Sequence, residues 1–276
     1  MRSHFLRAAS PKGVVNALVL EIVLPAPQTF ALGVKSPLNV DIDWGDGSED
    51  FGVTAEYPSH VYASSGTYLV SIKNNATIRI RSAETAVESR SKITRVVNGG
   101  GLGFGWNSNL EAMFFGCTSL TETDLIDLSS ISNIENMFDG CQLTELPVFD
   151  MSTVDYAFRF ARGQQFTEVP AGISFTDLDE VRSLFENNAN LTTIHRGLFV
   201  GINASAFGGE NGWLAGCALT AQSIENLMLD LDALPGTGGQ CSVAGGTNAG
   251  LSTWTTAAVN ARNSLISKGW TINQNA

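Results

Sequence analysis

Residues 109–121 read Asn109-Leu110-Glu111-Ala112-Met113-Phe114-Phe115-Gly116-Cys117-Thr118-Ser119-Leu120-Thr121, and residues 133–144 repeat the pattern as Asn133-Ile134-Glu135-Asn136-Met137-Phe138-Asp139-Gly140-Cys141-Gln142-Leu143-Thr144. An apolar residue followed by Thr recurs at Ile93-Thr94, Leu120-Thr121, Leu143-Thr144, Phe166-Thr167, Leu191-Thr192 and Leu219-Thr220, at steps of 27, 23, 23, 25 and 28 residues. A second pattern runs in phase: an apolar residue, two variable residues, then an apolar pair. It occurs as Leu110…Met113-Phe114, Ile134…Met137-Phe138, Val154…Ala157-Phe158 and Val181…Leu184-Phe185, with Trp213-Leu214 as a weaker fifth copy. Spacing of i, i+3, i+4 predicts one face of a short helix. Alternation stopped by proline, as in Leu143-Thr144-Glu145-Leu146-Pro147 and Phe166-Thr167-Glu168-Val169-Pro170, predicts a short strand. Neither element buries its apolar face alone, so residues 86–222 are expected to stack into a short solenoid with a parallel strand ladder.

The flanking segments read differently. Residues 1–85 carry short β-rich runs at Val14–Leu24, Phe30–Val34, Asn39–Trp44, Tyr68–Lys73 and Thr77–Ile80, separated by Pro, Gly, Asn, Asp and Ser, which is the pattern of a β-sandwich. Trp44-Gly45-Asp46-Gly47-Ser48 supplies a tight hairpin turn, and His60-Val61-Tyr62 followed by Gly66-Thr67-Tyr68 alternates on either side of a glycine turn. Residues 223–276 fit a closing unit. One helix is expected over 223–234, with Ile224, Leu227, Met228 and Leu231 inside. A second is expected over 256–268, with Val259, Ala261 and Leu265 inside, and then a strand at Trp270-Thr271-Ile272.

Composition narrows the function classes. The 276-residue chain is 43% hydrophobic and 16% charged, which suits packed cores rather than disorder. Its net charge of −11 excludes non-specific nucleic-acid binding, which needs Lys/Arg surfaces. No apolar run approaches the ~18 residues of a membrane span, so no membrane insertion is expected. Residues 91–222 hold 6 basic and 15 acidic groups, net −9, read either as solvated outer faces or as an acidic recognition surface. Met1–Lys12 lacks the apolar core of a secretory signal peptide and no lipobox cysteine follows.

Asp43–Ser48 and His60–Ile72 resemble a PKD-type β-sandwich, a family that pairs a W/F-G-D-G turn with a later H-x-Y…G-x-Y strand pair. Residues 109–117 and 133–141 resemble BspA-like leucine-rich repeats, with their N-x-x-x-M-F-x-G-C signature. Later units depart from it, since Phe158 is followed by Arg-Phe-Ala-Arg and Phe185 by Glu-Asn-Asn. The end of the chain resembles a terminal unit found after such repeats in bacteriophage and bacterial surface proteins. The expected fold is therefore a mixed β and α+β chain: an Ig/PKD-like sandwich, a leucine-rich-repeat solenoid and a C-terminal α/β cap. The motif positions are Trp44, Gly45, Asp46, Gly47, His60, Tyr62, Gly66, Tyr68, Cys117, Cys141 and Cys217.

The chemistry-bearing residues form no catalytic pattern. Cys117, Cys141 and Cys217 sit three residues after their apolar pairs, an inward phase that predicts buried, reduced thiols. A bridge between neighbouring rungs stays open, and neither these nor Cys241 have zinc-site spacing. His4, His60 and His195 have no partner motif that would make a general base, and no nucleophile elbow or zinc-protease motif is present. Asp41, Asp43, Asp46 and Asp50 are read as turn-forming and solvent-facing rather than as a calcium site, and no cofactor is expected. Sequons at Asn75, Asn190 and Asn203, and the glycine run 99–105, carry no further chemistry, since that run lacks the Lys-Ser/Thr of a phosphate loop.

What the resemblance implies is a non-enzymatic virion structural protein of a tailed bacteriophage, displayed in multiple copies on capsid or tail as a decoration, fibre or receptor-binding component. A bacterial cell-surface adhesin is the alternative. Docking on other virion subunits is expected through residues 1–37, where Arg2, Arg7, Lys12 and Lys35 face Glu21 alone, and contact with a host surface receptor through the repeats.

Overall fold

The computed structural model describes residues 17–32, 34–35, 39–73, 79–80, 87–99, 109–209 and 212–276. His4, the Asn75 sequon, residues 14–16 and 77–78 of two expected strands, and the glycine run beyond Gly99 lie outside the described residues. The described chain is mostly strand and turn, with three helices.

The N-terminal strands are β1 (Ala17–Leu24), β2 (Gln28–Ala31), β3 (Val34–Lys35), β4 (Val40–Asp43), β5 (Glu49–Val53), β6 (Ser59–Tyr62), β7 (Gly66–Lys73) and β8 (Arg79–Ile80). A four-residue helix, α1 (Val87–Arg90), leads into β9 (Ile93–Asn98). Strand β1 is an almost unbroken aliphatic run, and its first four residues are buried on both faces. That suits the centre of a sheet. It pairs antiparallel with β7, from Ala17↔Lys73 to Leu24↔Gly66, and antiparallel with β9 on its other side, through Leu20↔Val96 and Glu21↔Arg95. Strand β10 (Glu122–Thr123) then joins β9 in parallel, giving a six-stranded sheet of order β10-β9-β1-β7-β4-β5. The β2–β6 pair lays Phe30 and Tyr62 into the same core as Leu20, Ile42 and Ile72. Although β6 and β7 are nearly consecutive, they belong to different sheets, so the chain crosses over between them.

From β9 onward the backbone ladder continues unit by unit. Thr121 N donates to Thr94 O (3.1 Å), Thr144 N to Thr121 O (3.0 Å), Gln165 N to Leu143 O (3.0 Å), Thr192 N to Thr167 O (2.9 Å), Thr220 N to Thr192 O (3.1 Å) and Thr247 N to Cys217 O (2.9 Å). Strands β11 (Glu168–Val169) and β12 (Thr193–Ile194) are parallel steps of this ladder. A second ladder runs along the other side in the opposite sense. There Phe114 N donates to Met137 O (2.9 Å), Phe138 N to Phe160 O (2.9 Å), Ala161 N to Leu184 O (3.1 Å) and Phe185 N to Trp213 O (2.9 Å).

That second side corrects two expectations. The apolar triplets do not form short helices; each unit makes two tight turns instead. Ala112, Asn136, Arg159 and Ser183 all have positive φ, and four residues later Gly116, Gly140, Gly163 and Asn187 do too. Left-handed residues at that interval break any right-handed helix. The third triplet is also displaced. Arg159 and Gly163 mark the frame, so the turn residues that face inward are Ala157, Phe160 and Ala161; of the expected triplet Val154 and Ala157 are buried and Phe158 is not. Phe158 lies half-buried under the Arg159 guanidinium, 4.5 Å from its ring centre.

Phe114, Phe138, Phe160 and Phe185 follow one another along the stacking axis at ring separations of 5.6, 5.6 and 6.4 Å. One buried cluster runs from Leu18 to Ile272, and Ala17, Val19 and Val97 form a small second one. On the turn side of the first unit Arg90 Nη1 donates to Phe115 O (3.2 Å), where in the later units a backbone amide of the preceding turn donates. At the other end, α2 (Ala221–Asp232) starts at Thr220, whose hydroxyl oxygen accepts from Ser223 N, and buries Ile224, Leu227, Met228 and Leu231. Strand β13 (Gly239–Val243), helix α3 (Thr256–Ser267) and strand β14 (Trp270–Gln274) follow. Helix α3 turns Ala258, Ala261 and Leu265 inward, with Val259 only partly buried, and β14 runs parallel to β13.

Two amide side chains take the inward position that cysteine holds elsewhere. Gln164 accepts from Leu143 N (3.0 Å) and donates to Phe138 O (2.7 Å), and Asn188 accepts from Gln164 N and donates to Ala161 O (3.0 Å). Replacing Gln164 with Ala removes a partner from a buried amide and a buried carbonyl and leaves a cavity. The expected loss is about 3 kcal/mol, read as a lowered urea midpoint. A loss under about 1 kcal/mol would show that water or local collapse replaces these bonds.

Candidate functional site

The hairpin between β4 and β5 gathers most of the sequence-predicted residues. Trp44 N donates to Ser48 O (3.1 Å) across the loop. Gly45 (φ 82°) and Gly47 (φ 95°) both need the left-handed region, and a Cβ on Gly45 would lie 2.6 Å from the Leu69 carbonyl oxygen. Only glycine fits there. Trp44 is fully buried, and its indole Nε1 donates to Asp50 Oδ2 (2.9 Å). Its ring stacks on His60 at 5.1 Å. His60 meets Tyr62 edge-on at 4.7 Å, and Tyr62 tilts against Tyr68 at 4.4 Å. Tyr62 Oη donates to Trp44 O (2.8 Å), and burial raises its phenol pKa, helped by the nearby Asp46 charge. The Tyr68 ring lies over Gly66, where a Cβ would come within 3.1 Å of it.

Asp46, Ser48 and His60 are the residue types of a hydrolytic triad, but their geometry is not that of one. His60 Nε2 lies 2.8 Å from Asp46 Oδ2 and 3.2 Å from Ser48 Oγ, so a single ring nitrogen meets both partners. The Ser48 hydroxyl donates to Asp46 rather than to the ring. A triad needs the carboxylate on one imidazole nitrogen and the nucleophile on the other. The arrangement here ties the hairpin to β6. The neighbouring carboxylates are engaged separately: Asp41 accepts from Gly52 N (2.9 Å), Asp43 from Gly45 N (3.0 Å), and Glu49 from Lys73 Nζ (3.1 Å). Among the described residues, no group of three or more His, Cys, Asp or Glu side chains is placed to hold a metal ion.

Cys117, Cys141, Cys217 and Cys241 are buried and reduced. Cys141 Sγ donates to Phe114 O (3.1 Å) and Cys217 Sγ to Phe185 O (3.3 Å), each tying its unit to the preceding one. Burial pushes the Cys217 thiol up to about 12, and raises Cys141 and Cys241 well above the usual thiol range. These are inert packing groups.

The repeat surface has two contrasting sides. On the turn side, Tyr156 is exposed and hydrogen-bonded to Asp179, which raises its pKa. Partial burial and the charges of Asp177 and Asp179 raise the Asp155 carboxyl. On the strand side, side chains align in columns that the sequence reading did not single out. Thr121, Thr144 and Thr167 project at successive rungs, and the Thr144 hydroxyl donates to Thr121 O (3.2 Å). Two positions before Thr144, Thr167 and Thr192 stands an amide: Gln165 Nε2 donates to Gln142 Oε1 (3.0 Å), and Asn190 Nδ2 donates to Gln165 Oε1 (2.9 Å). One position after Thr121, Thr144 and Thr167 stand Glu122, Glu145 and Glu168. This carboxylate column is flanked by Arg95, 3.4 Å from Glu122, and by His195, whose Nε2 lies 2.6 Å from Glu168. The signal was present in the sequence, since the amides repeat at the same 23- and 25-residue steps as the threonines. A shallow cavity of about 410 Å³ lies beyond β12, between Arg196, Val200 and the end of α2. Its buried carboxylate, Asp230, is already occupied by Arg196 Nε (2.6 Å) and Gly197 N (2.6 Å).

No family model, curated protein or solved structure matches this chain. Among the described residues, no helix is long and apolar enough to cross a membrane.

Hydrogen bonds from the Ser48 side chain, then from His60, lower the Asp46 pKa from 3.8 to about 2. The folded state therefore favours the charged form. This contribution is complete above the ordinary carboxylate pKa and drains away as pH falls from about 4 to about 2. Asp46→Asn is expected to lower the thermal midpoint at pH 6, with the gap to wild type closing by pH 2. A gap independent of pH would mean that the carboxylate charge plays no part. Thiol titration of the native chain is expected to be slow and to reach all four cysteines only on denaturation. Rapid native labelling would contradict their burial.

Proposed function

We propose that the chain is a non-enzymatic binding and building module: a PKD-type β-sandwich, a BspA-like leucine-rich-repeat solenoid and a C-terminal cap. We read it as carried in multiple copies on the surface of a tailed bacteriophage, as a decoration, fibre or receptor-binding component. The observation that carries this reading is the backbone ladder, which passes from the six-stranded sheet into the repeat units without a break. A linked pair of modules hinges at its junction; this one has a hydrogen-bonded strand there, which suits holding a surface away from its support. The polar side chains of the motif region are committed to holding the hairpin, which supports a scaffold role. The acidic repeat segment keeps a displayed surface soluble.

The anchor is proposed within residues 1–37. Strands β1 and β2 of that stretch are built into sheets, with Leu18, Leu20, Ile22 and Phe30 buried, so the deletion that tests the anchor ends at residue 16. Purified particles are expected to contain the full chain and to lose it when residues 1–16 are removed, as measured by mass spectrometry of sedimented particles. Full retention would refute an anchor in residues 1–16. Absence of the full chain from particles, with recovery from a bacterial envelope, would favour the adhesin.

A further inference from the structure

We propose that the strand side of the repeat units, from β9 to β12, binds an extended glycan of amino or N-acetylamino sugars lying along the stacking axis. The inference rests on the reading of the chain as a displayed binding module and names the class of ligand its repeats take. A ligand that meets the same group at successive rungs must itself be periodic, and the threonine column repeats at every rung while the carboxamide and carboxylate columns each run over three successive rungs. A protein partner anchors through aromatic and apolar residues packed at an interface centre; the centre of this face is Thr, Gln, Asn and Glu. Three carboxylates against Arg95 and His195 leave the face net negative, which disfavours phosphate-bearing and uronic-acid polymers and matches neutral or cationic sugars.

The amides are already oriented. Gln165 gives one N–H to Gln142 and takes one from Asn190, which leaves it a second N–H and a second lone pair for a ligand amide or hydroxyl. Holding the three side chains in register lowers the ordering cost of binding. The carboxylates accept from sugar hydroxyls or ammonium groups. Leu125 and Val148, 60% and 50% exposed, border the face beside that column and meet the C–H faces of sugar rings. From Thr94 to Thr192 the face crosses five rungs, about 19 Å at the spacing of neighbouring strands, which gives room for a short oligosaccharide.

The test is calorimetric titration of the full chain with a hexamer of N-acetylglucosamine, its de-acetylated counterpart and an oligouronate. Saturable binding of one or both amino-sugar hexamers is expected, with none of the oligouronate. Gln165→Ala and Thr144→Val are each expected to weaken binding at least fivefold, with thermal midpoints measured to confirm folding. Tyr156→Ala, on the turn side, is expected to leave binding unchanged. Absence of saturable binding by both hexamers at millimolar concentration, equal binding of the oligouronate, or undiminished binding by both strand-side variants would overturn the proposal. So would a loss of binding in Tyr156→Ala. Light scattering that finds a dimer abolished by Gln165→Ala would assign the face to a second copy of the chain. Particle incorporation does not depend on these results, so failure of glycan binding and failure of virion display are read separately.

Discussion

The pairing of β9 with β1 on one side and β10 on the other is the junction on which the molecule depends. Strand β1 fills the middle of an antiparallel sheet, and β9 converts the far edge of that sheet into the first rung of a parallel ladder. An exposed sheet edge invites aggregation, and an uncapped repeat array leaves its core open to water. Each half removes the other's liability: the sheet caps the repeats, and the repeats cover the edge of the sheet. The cost of closing a loop of roughly 70 residues between β1 and β9 is modest, because closure entropy grows only logarithmically with length. The aliphatic contacts of Leu20, Ile22, Ile93 and Val96 offset it.

Polar groups inside the repeats follow the same logic. Each unit buries backbone that no helix satisfies, and the spare amides and carbonyls are taken by the neighbouring unit, by a thiol, or by a buried carboxamide. Asp139 is nearly fully buried and is held by the Arg162 guanidinium at 3.0 and 3.2 Å. Burying a charge is tolerable only with a partner of this kind. The guanidinium of Arg90 does a similar job on the turn side of the first unit, where it donates to the Phe115 carbonyl.

What the sequence disclosed follows from which interactions are local. Unit period was legible because Leu-Thr or its equivalent must fall on every rung, and α2 and α3 were legible because Ile224, Leu227, Met228 and Leu231, and then Ala261 and Leu265, fall on one face of a helical run. The turns were misread as helix because the first left-handed position holds Ala112, Asn136, Arg159 and Ser183, of which only Asn136 is a residue that commonly takes positive φ. The third unit was misaligned because Phe158 and Phe160 are equally apolar in sequence and only the position of Gly163 separates them. The pairing of β1 with β9 joins residues some 70 apart, and no local pattern encodes it. Of the candidate sites, the Trp44 corner was visible through its turn, while the strand-side columns were overlooked because polar residues were scored as solvent-facing rather than compared between units.

A ladder in which every rung uses the same bonds has an adjustable length. Inserting a whole unit between two existing ones would move the distal part of the molecule outward by one strand spacing, about 4.8 Å, without altering the sheet at the base. The freedom is not uniform along the axis. Cys141 makes only a thiol bond back to the Phe114 carbonyl, so a new unit can enter between the first and the second with little adjustment. Gln164 bonds both an amide and a carbonyl of the second unit, and Asn188 both an amide and a carbonyl of the third, so the second, third and fourth units form a splint that tolerates no newcomer between them. Duplication and loss of units should therefore concentrate on the proximal side of that splint, and the reach of the molecule would evolve in steps of one rung.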